Sequence, residues 1–168
     1  MNMKYILIRV FFLFTGLIPL VLGHRLEILI TSNPYMFPRS VAYWLGFAVL
    51  AVWFVLGMMA SKFMCKKWEA LVFINFFAVV VFAYMLIWQL GIFSSPFTFP
   101  RVNLAMQNYT LSLIHLTNLI VVRLLSLGRI CTVTPAMLVG VGLGFMVVAS
   151  WLGWHVGCRI HQQYQTLH

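Results

Sequence analysis

The sequence predicts an all-α integral membrane protein, a polytopic bundle of five, or alternatively four, transmembrane helices. Hydrophobic residues make up 63% of the 168 residues and charged residues only 8%, which excludes an ordinary soluble domain. The apolar residues form runs of about 20, the length that crosses the roughly 30 Å hydrocarbon core of a bilayer. None of these runs alternates as a β-strand would, so we expect helices, which satisfy their own backbone hydrogen bonds in lipid. The whole chain is interpreted as one membrane domain.

The first span is predicted over residues 5–22. Arg9 and Pro19 interrupt this run, and we expect Arg9 to extend toward the nearest headgroups, where its charge is less unfavourable. A cleaved signal peptide is the alternative, because the basic start, the apolar stretch and the small-residue context at 21–23 also fit one. The charge inside the apolar stretch favours a retained span. An outer loop is expected over 24–40.

Two further apolar runs predict a hairpin with spans over 41–60 and 69–92. The short loop between them carries Lys62, Lys66 and Lys67, the densest basic cluster of the chain. Short lysine-rich loops stay cytoplasmic, so we expect this loop inside the cell. The alternative role of these lysines is a docking patch for anionic lipid headgroups or for an acidic partner.

Residues 105–127 form the ambiguous fourth span. Ser112, His115, Asn118 and Arg123 fall within one arc of a helix, opposite an apolar face. Such a helix can lie in the membrane interface or can span the bilayer with its polar stripe turned inward. Spanning is favoured because it leaves more Lys and Arg on the cytoplasmic side. The stripe is predicted to fix helix packing, and lining a pore, with His115 responding to pH, is the alternative.

The last span is predicted over 134–155. Gly140 and Gly144 are spaced as GxxxG within it, and Gly153 and Gly157 repeat that spacing. Small residues four apart let helix backbones approach closely. These glycines therefore predict a tight helix–helix contact, which can form within the chain or between copies of it.

A metal site is a weaker hypothesis at the end of this span, where His155, Cys158 and His161 follow one another at three-residue intervals. Imidazole and thiolate suit Zn²⁺ or copper, and His115 with His155 would be the pair for axial haem ligation. No carboxylate lies nearby to orient a histidine. A polar helix end is the preferred interpretation, and we expect no metal and no other cofactor.

The charge balance limits the kinds of catalytic and binding site that this chain can form. Eleven Lys and Arg oppose only two acids, Glu27 and Glu69, and the predicted spans place these at opposite membrane faces, which leaves no paired carboxylates for acid–base catalysis. The cations sit between apolar runs rather than on a water-facing module, so nucleic acid is not an expected partner. The six tryptophans fall mostly near run ends, where interface anchors belong, and Asn108 begins a glycosylation motif.

Together these features predict a small non-catalytic membrane protein that acts as subunit, anchor or sensor. Its expected partners are the lipid bilayer and either copies of itself or other membrane or cytoplasmic proteins. The expected location is the bacterial cytoplasmic (inner) membrane, where an immunity or defence accessory protein would have this size. A channel or transporter that uses the polar stripe is the first alternative function, and a metal or haem oxidoreductase is the second.

Overall fold

A computed structural model describes residues 3–32, 39–64, 66–90, 100–128 and 134–166, and every regular element in these ranges is an α-helix. The helices are α1 (Met3–Thr15), α2 (Ile18–Ser32), α3 (Arg39–Phe63), α4 (Lys67–Gln89), α5 (Pro100–Gly128) and α6 (Pro135–Thr166). Four segments of these ranges are long and apolar enough to cross a membrane, namely α1 with α2, most of α3, α4, and most of α6. The expected all-helical class with several candidate spans is thereby confirmed.

The N-terminal segment is a single apolar run that breaks between α1 and α2. Pro19 has no N–H, so the carbonyl of Thr15 receives no helical hydrogen bond from it. The N–H groups of Gly16 and Leu17 each bond the carbonyl three residues earlier, over 3.1 and 3.0 Å. Because of this break, α1 packs mainly on α4 whereas α2 packs on α5.

Two helices extend well beyond their predicted spans. α2 continues to Ser32 and α6 continues to Thr166, so the first part of the expected outer loop over 24–40 is helical. Nothing in the sequence opposes α2 before Asn33, which precedes a proline and is therefore biased away from helix. The end of α6 is rich in glutamine, a residue of high helix propensity.

The centre of the molecule lies between α3, α4 and α6. Trp53 is fully buried there at 0% exposure, and Trp154 is buried as well. The prediction that the tryptophans anchor the interface is therefore wrong for these two. Trp53 lies in the middle of α3 rather than near an end, and its indole N–H has a partner inside the protein.

Local chemistry explains where α4 and α6 begin. Lys66 precedes α4 in an extended conformation, and Glu69 lies in the first turn, where a negative charge is favourable beside the positive end of the helix dipole. Pro135 opens α6 at a position that needs no N–H. The hydroxyl of Thr134 accepts a hydrogen bond from the N–H of Met137 over 3.4 Å.

α3 and α6 run in the same direction, which decides what lies at each end of the bundle. The last turns of both helices share one groove, in which Lys62 stands near Gly157 and His161. At the other end, the N–H of Ala136 donates a hydrogen bond to Oε1 of Gln89 over 3.3 Å, so α6 begins where α4 ends. The end of α6 therefore lies at the same end of the bundle as the α3–α4 turn.

Candidate functional site

The predicted basic loop lies at one end of the bundle, and we call its residues Lys62, Lys66 and Lys67 the lysine end. Lys62 and Lys66 are exposed and Lys67 is half-buried. Nζ of Lys67 lies 5.5 Å from the ring centroid of Trp68 and 5.4 Å from that of Trp151, within the range of cation–π attraction. The lysine end thus combines fixed positive charge with aromatic surface.

An ion pair between Arg9 and Glu69 ties α1 to α4 at the same end of the bundle. Arg9 therefore has a partner within the chain, and the expectation that it simply extends to the headgroups is too limited. The other acid, Glu27, is on α2, with Oε2 3.6 Å from Nδ1 of His24. In the described part of the chain, neither carboxylate forms an ion pair with the lysine end.

A buried hydrogen-bond network joins α3, α4 and α6 in the interior. Nε1 of Trp53 donates to Oδ1 of Asn75 over 3.0 Å. Nδ2 of Asn75 donates both to Oγ of Ser150 over 3.1 Å and to the carbonyl of Leu71 over 2.9 Å. Oγ of Ser150 in turn donates to the carbonyl of Val147 over 3.0 Å. Every polar atom of the Asn75 side chain is therefore satisfied.

This network is closed to ligands, because Trp53 and Ser150 are 0% and Asn75 is 2% exposed. A satisfied buried network fixes one packing arrangement, since any other arrangement leaves polar groups without partners. Sequence reasoning missed it as a unit. Asn75 indicated a buried polar contact, because it interrupts a long apolar run. Nothing in the neighbouring sequence indicates its partners, which lie on two other helices.

The structure separates the residues of the predicted polar stripe on α5. Ser112 is buried and donates to the carbonyl of its own helix three residues earlier over 3.2 Å. Asn118 and Arg123 are exposed, and the side chain of His115 lies outside the described residues. Of the described stripe positions, Ser112 is therefore buried, whereas Asn118 and Arg123 lie at the surface.

The predicted glycines of α6 occupy three different environments. A Cβ added to Gly153 or Gly157 would collide with the backbone of α3, so these two lie at a tight helix–helix contact within the chain. Gly140 faces a phenylalanine ring of α4, 3.0 Å from where its Cβ would stand, and Gly144 has nothing within 4 Å. The second glycine pair, and not the first, meets another backbone.

Two glycines outside the predicted set make backbone contacts that are as close. A Cβ on Gly57 would collide with the backbone of Ser150, and one on Gly23 would collide with that of Asn108. Gly57 carried a usable signal, because Ser61 follows it at the four-residue spacing of small residues in membrane helices. Gly23 joins α2 to α5 and carried no such signal.

Asn108, the start of the glycosylation motif, is buried within α5. Its Nδ2 lies 3.4 Å from Nδ1 of His24 on α2. The amide is therefore turned toward a neighbouring helix and is not presented for modification.

The residues of the metal hypothesis point to different surroundings. His155 is exposed, with its ring 4.5 Å from that of Trp151. Cys158 is half-buried against the core, and His161 is exposed in the groove beside Lys62. Within the described ranges, no three His, Cys, Asp or Glu side chains form a group that could hold a metal ion.

Comparison of the chain with known protein families, with curated proteins and with solved structures gave no match. The internal polar contacts hold the chain's own helices together, whereas the lysine end is open to other molecules.

Proposed function

We propose that this chain is a non-catalytic multi-pass membrane protein that serves as a subunit or anchor of a larger assembly. The lysine end would be its docking face for an acidic surface of a partner protein. The observation that carries this proposal is the pairing of Glu69 with Arg9, which removes the nearest carboxylate from the three lysines.

The rest of the chain offers few acidic residues that could pair with the lysine end. The chain contains only two Asp or Glu residues against eleven Lys and Arg, and Glu27 lies on α2 beside His24. In the part of the chain that the structure describes, no side-chain carboxylate pairs with the lysine end, which supports an acidic partner. Complementary charge at an interface chiefly sets the partner and the rate of encounter, which is the contribution an anchoring subunit needs.

The proposed topology has four spans, with both termini on the side of the lysine end. The groove shared by Lys62 and His161 supports this arrangement, as does the ion pair between α1 and the start of α4. The positive-inside rule would then place the lysine end in the cytoplasm. The fifth span expected over 105–127 is not part of this topology.

α5 would lie obliquely across the opposite end of the bundle. Gly128 and Pro135 are seven residues apart in sequence, a stretch of chain that reaches about 25 Å. Pro135 stands at the end of α4, and α4, with 23 residues, separates the two ends of the bundle by about 34 Å. The end of α5 therefore cannot reach the lysine end. The exposed Asn118 and Arg123 suit a helix at the membrane interface.

The experiment is affinity purification of the tagged full chain in mild detergent, with identification of the proteins that accompany it. Lys62, Lys66 and Lys67 would be changed together to Glu in one variant and to Arg in another. We expect an acidic partner that is lost with the Glu variant and retained with the Arg variant, because only the first reverses the charge. Changing Arg25, exposed on α2, to Glu is the matched control and should leave the partner bound.

A second, differently tagged copy of the chain in the same cells distinguishes self-assembly from a separate partner. Recovery of an unchanged set of proteins with all three variants would contradict the role of the lysine end. Turnover of a substrate by the purified chain alone would contradict a non-catalytic function. The proposed location is the bacterial cytoplasmic membrane, and the support for it is that the four candidate spans cover 104 of the 168 residues.

A further inference from the structure

Two grooves lie side by side on the surface formed by α1, α3 and α6, at the lysine end of the bundle. The groove between α3 and α6 has a volume of about 570 Å³, and the groove between α1 and α3 has a volume of about 360 Å³. Met59 and Phe63 of α3 line both grooves, and we call these two residues the shared wall. Both volumes fall in the range of roughly 300–1,000 Å³ that is typical of ligand clefts.

Each groove has a positive charge at the end of the bundle and an apolar lining further in. Lys4 lies in the first turn of α1, and every other described residue that lines the α1–α3 groove is apolar. From Lys4 to Phe11 this groove follows α1 for about 10 Å. In the α3–α6 groove, Lys62 lies in the last turn of α3 and Met58 lies one turn earlier. Both grooves therefore suit a molecule with an anionic end and apolar chains.

The polar groups at the mouth of the grooves suit a phosphate. Nζ of Lys62 lies over the shared wall, 5.8 Å from the ring centroid of Phe63, where it can approach a group that joins two chains. His161 is exposed in the α3–α6 groove, and its imidazole can donate a hydrogen bond. None of the described residues that line the two grooves is acidic. Glu69, the acid at this end of the bundle, pairs with Arg9.

We propose that these two grooves bind one anionic diacyl phospholipid, with one acyl chain on each side of the shared wall and the phosphate within reach of Lys4 and Lys62. The headgroup supplies the negative charge that the described lining lacks. A zwitterionic phospholipid binds less tightly, because its positive group lies close to the lysines. The proposal rests on the membrane location proposed above. It needs no protein partner and leaves Lys66 and Lys67 for one.

The test is native mass spectrometry of the purified full chain in a mild nonionic detergent, with equal amounts of phosphatidylglycerol and phosphatidylcholine that carry the same acyl chains. No anionic leaflet is present in the micelles, so only a site on the protein retains one lipid in preference to the other. We expect wild type to retain one phosphatidylglycerol. Lys4→Gln/Lys62→Gln should lower this preference at least fivefold, roughly the factor for one lysine beside an anionic lipid.

A matched variant and a second lipid make the test specific to the grooves. Lys67→Gln/Arg159→Gln also removes two charges at this end of the bundle, but neither residue lines a groove, so the preference for phosphatidylglycerol should remain. Both double variants should unfold at nearly the same Tm as wild type, because Lys4, Lys62 and Arg159 are exposed. Lysophosphatidylglycerol, which has one chain, should bind more weakly than the diacyl lipid, because it fills only one groove.

Equal retention of the two diacyl lipids by wild type would overturn the proposal. An unchanged preference in Lys4→Gln/Lys62→Gln would do the same, as would an equal loss in Lys67→Gln/Arg159→Gln. Binding of lysophosphatidylglycerol as tightly as the diacyl lipid would contradict the use of both grooves. These measurements involve no partner protein, so they are separate from the test of the lysine end as a docking face. Recovery of the folded chain in the aqueous fraction without detergent would contradict the membrane location on which both proposals rest.

Discussion

The indole nitrogen of Trp53 lies 3.0 Å from the side-chain oxygen of Asn75, in a hydrogen bond that joins α3 to α4 where neither residue is accessible. Asn75→Leu would leave this N–H without an acceptor. We expect the free energy of unfolding to fall by roughly 1–2 kcal/mol, since a buried donor left without an acceptor costs about this much. The measurement is reversible unfolding by sodium dodecyl sulfate in mixed micelles.

A double-mutant cycle isolates the bond from the packing changes. Trp53→Phe removes the donor, so the double variant Trp53→Phe/Asn75→Leu has no orphaned indole. We expect the two substitutions to be non-additive by about 1 kcal/mol, the double variant being less destabilised than the sum of the single ones. Strict additivity would show that the two side chains do not act together.

The contact between α3 and α6 predicts opposite results for two glycines of one helix. Gly153→Ala places a methyl group against the α3 backbone, and we expect it to destabilise the protein by about 1–3 kcal/mol because the helices must separate. Gly144→Ala is the matched control, since nothing lies within 4 Å of its Cβ position. It should be neutral or stabilise by up to about 1 kcal/mol. Equal effects at both positions would contradict the packing.

The Arg9–Glu69 pair predicts recovery of stability by a charge swap. Arg9→Glu places two acids together, and we expect it to destabilise the attachment of α1 to α4 by about 1 kcal/mol, as for a partly exposed pair. Arg9→Glu/Glu69→Arg restores opposite charges and should regain most of this loss. The readout is the rate of limited proteolysis after Lys4, which lies at the start of α1. A double variant cleaved as fast as Arg9→Glu would disprove the pairing.

The four-span topology predicts the side on which single cysteines react with a membrane-impermeant thiol reagent in intact cells. In a cysteine-free background, Lys66→Cys and His161→Cys should behave alike, and Ser32→Cys should behave in the opposite way. Arg101→Cys and Arg123→Cys should both follow Ser32→Cys, because α5 does not cross the bilayer in the proposed topology. If the two α5 positions react from opposite sides, the chain has five spans.

The sequence was sufficient to predict the helical class and the main apolar runs, because the hydrophobic length of a span is a local property. The sequence was insufficient to predict which face of each helix packs against the rest of the protein. Lipid is as apolar as leucine, so hydrophobicity does not distinguish a lipid-facing side chain from one packed on a neighbouring helix. For this reason the polar stripe over 105–127 identified an amphipathic helix but not its orientation, and α5 buries Leu113 and Leu116 instead of Asn118.

The candidate site shows the same limit at the level of single residues. The lysine end could be predicted from the sequence because its three charges fall within one short loop. The network of Trp53, Asn75 and Ser150 could not be predicted, because its members come from three helices and are brought together only by packing. The Arg9–Glu69 pair was within reach, since the sequence offers only two acids, but the choice between them required the placement of α1 against α4.

The break between α1 and α2 has a consequence for biosynthesis. The segment formed by α1 and α2 has its two halves packed on α4 and α5, both of which follow it in the chain. If the proposed spans insert in chain order, docking of this segment would have to follow the synthesis of α5. In a nascent chain truncated before α5, α2 would lack the helix on which it packs and would be accessible to membrane proteases.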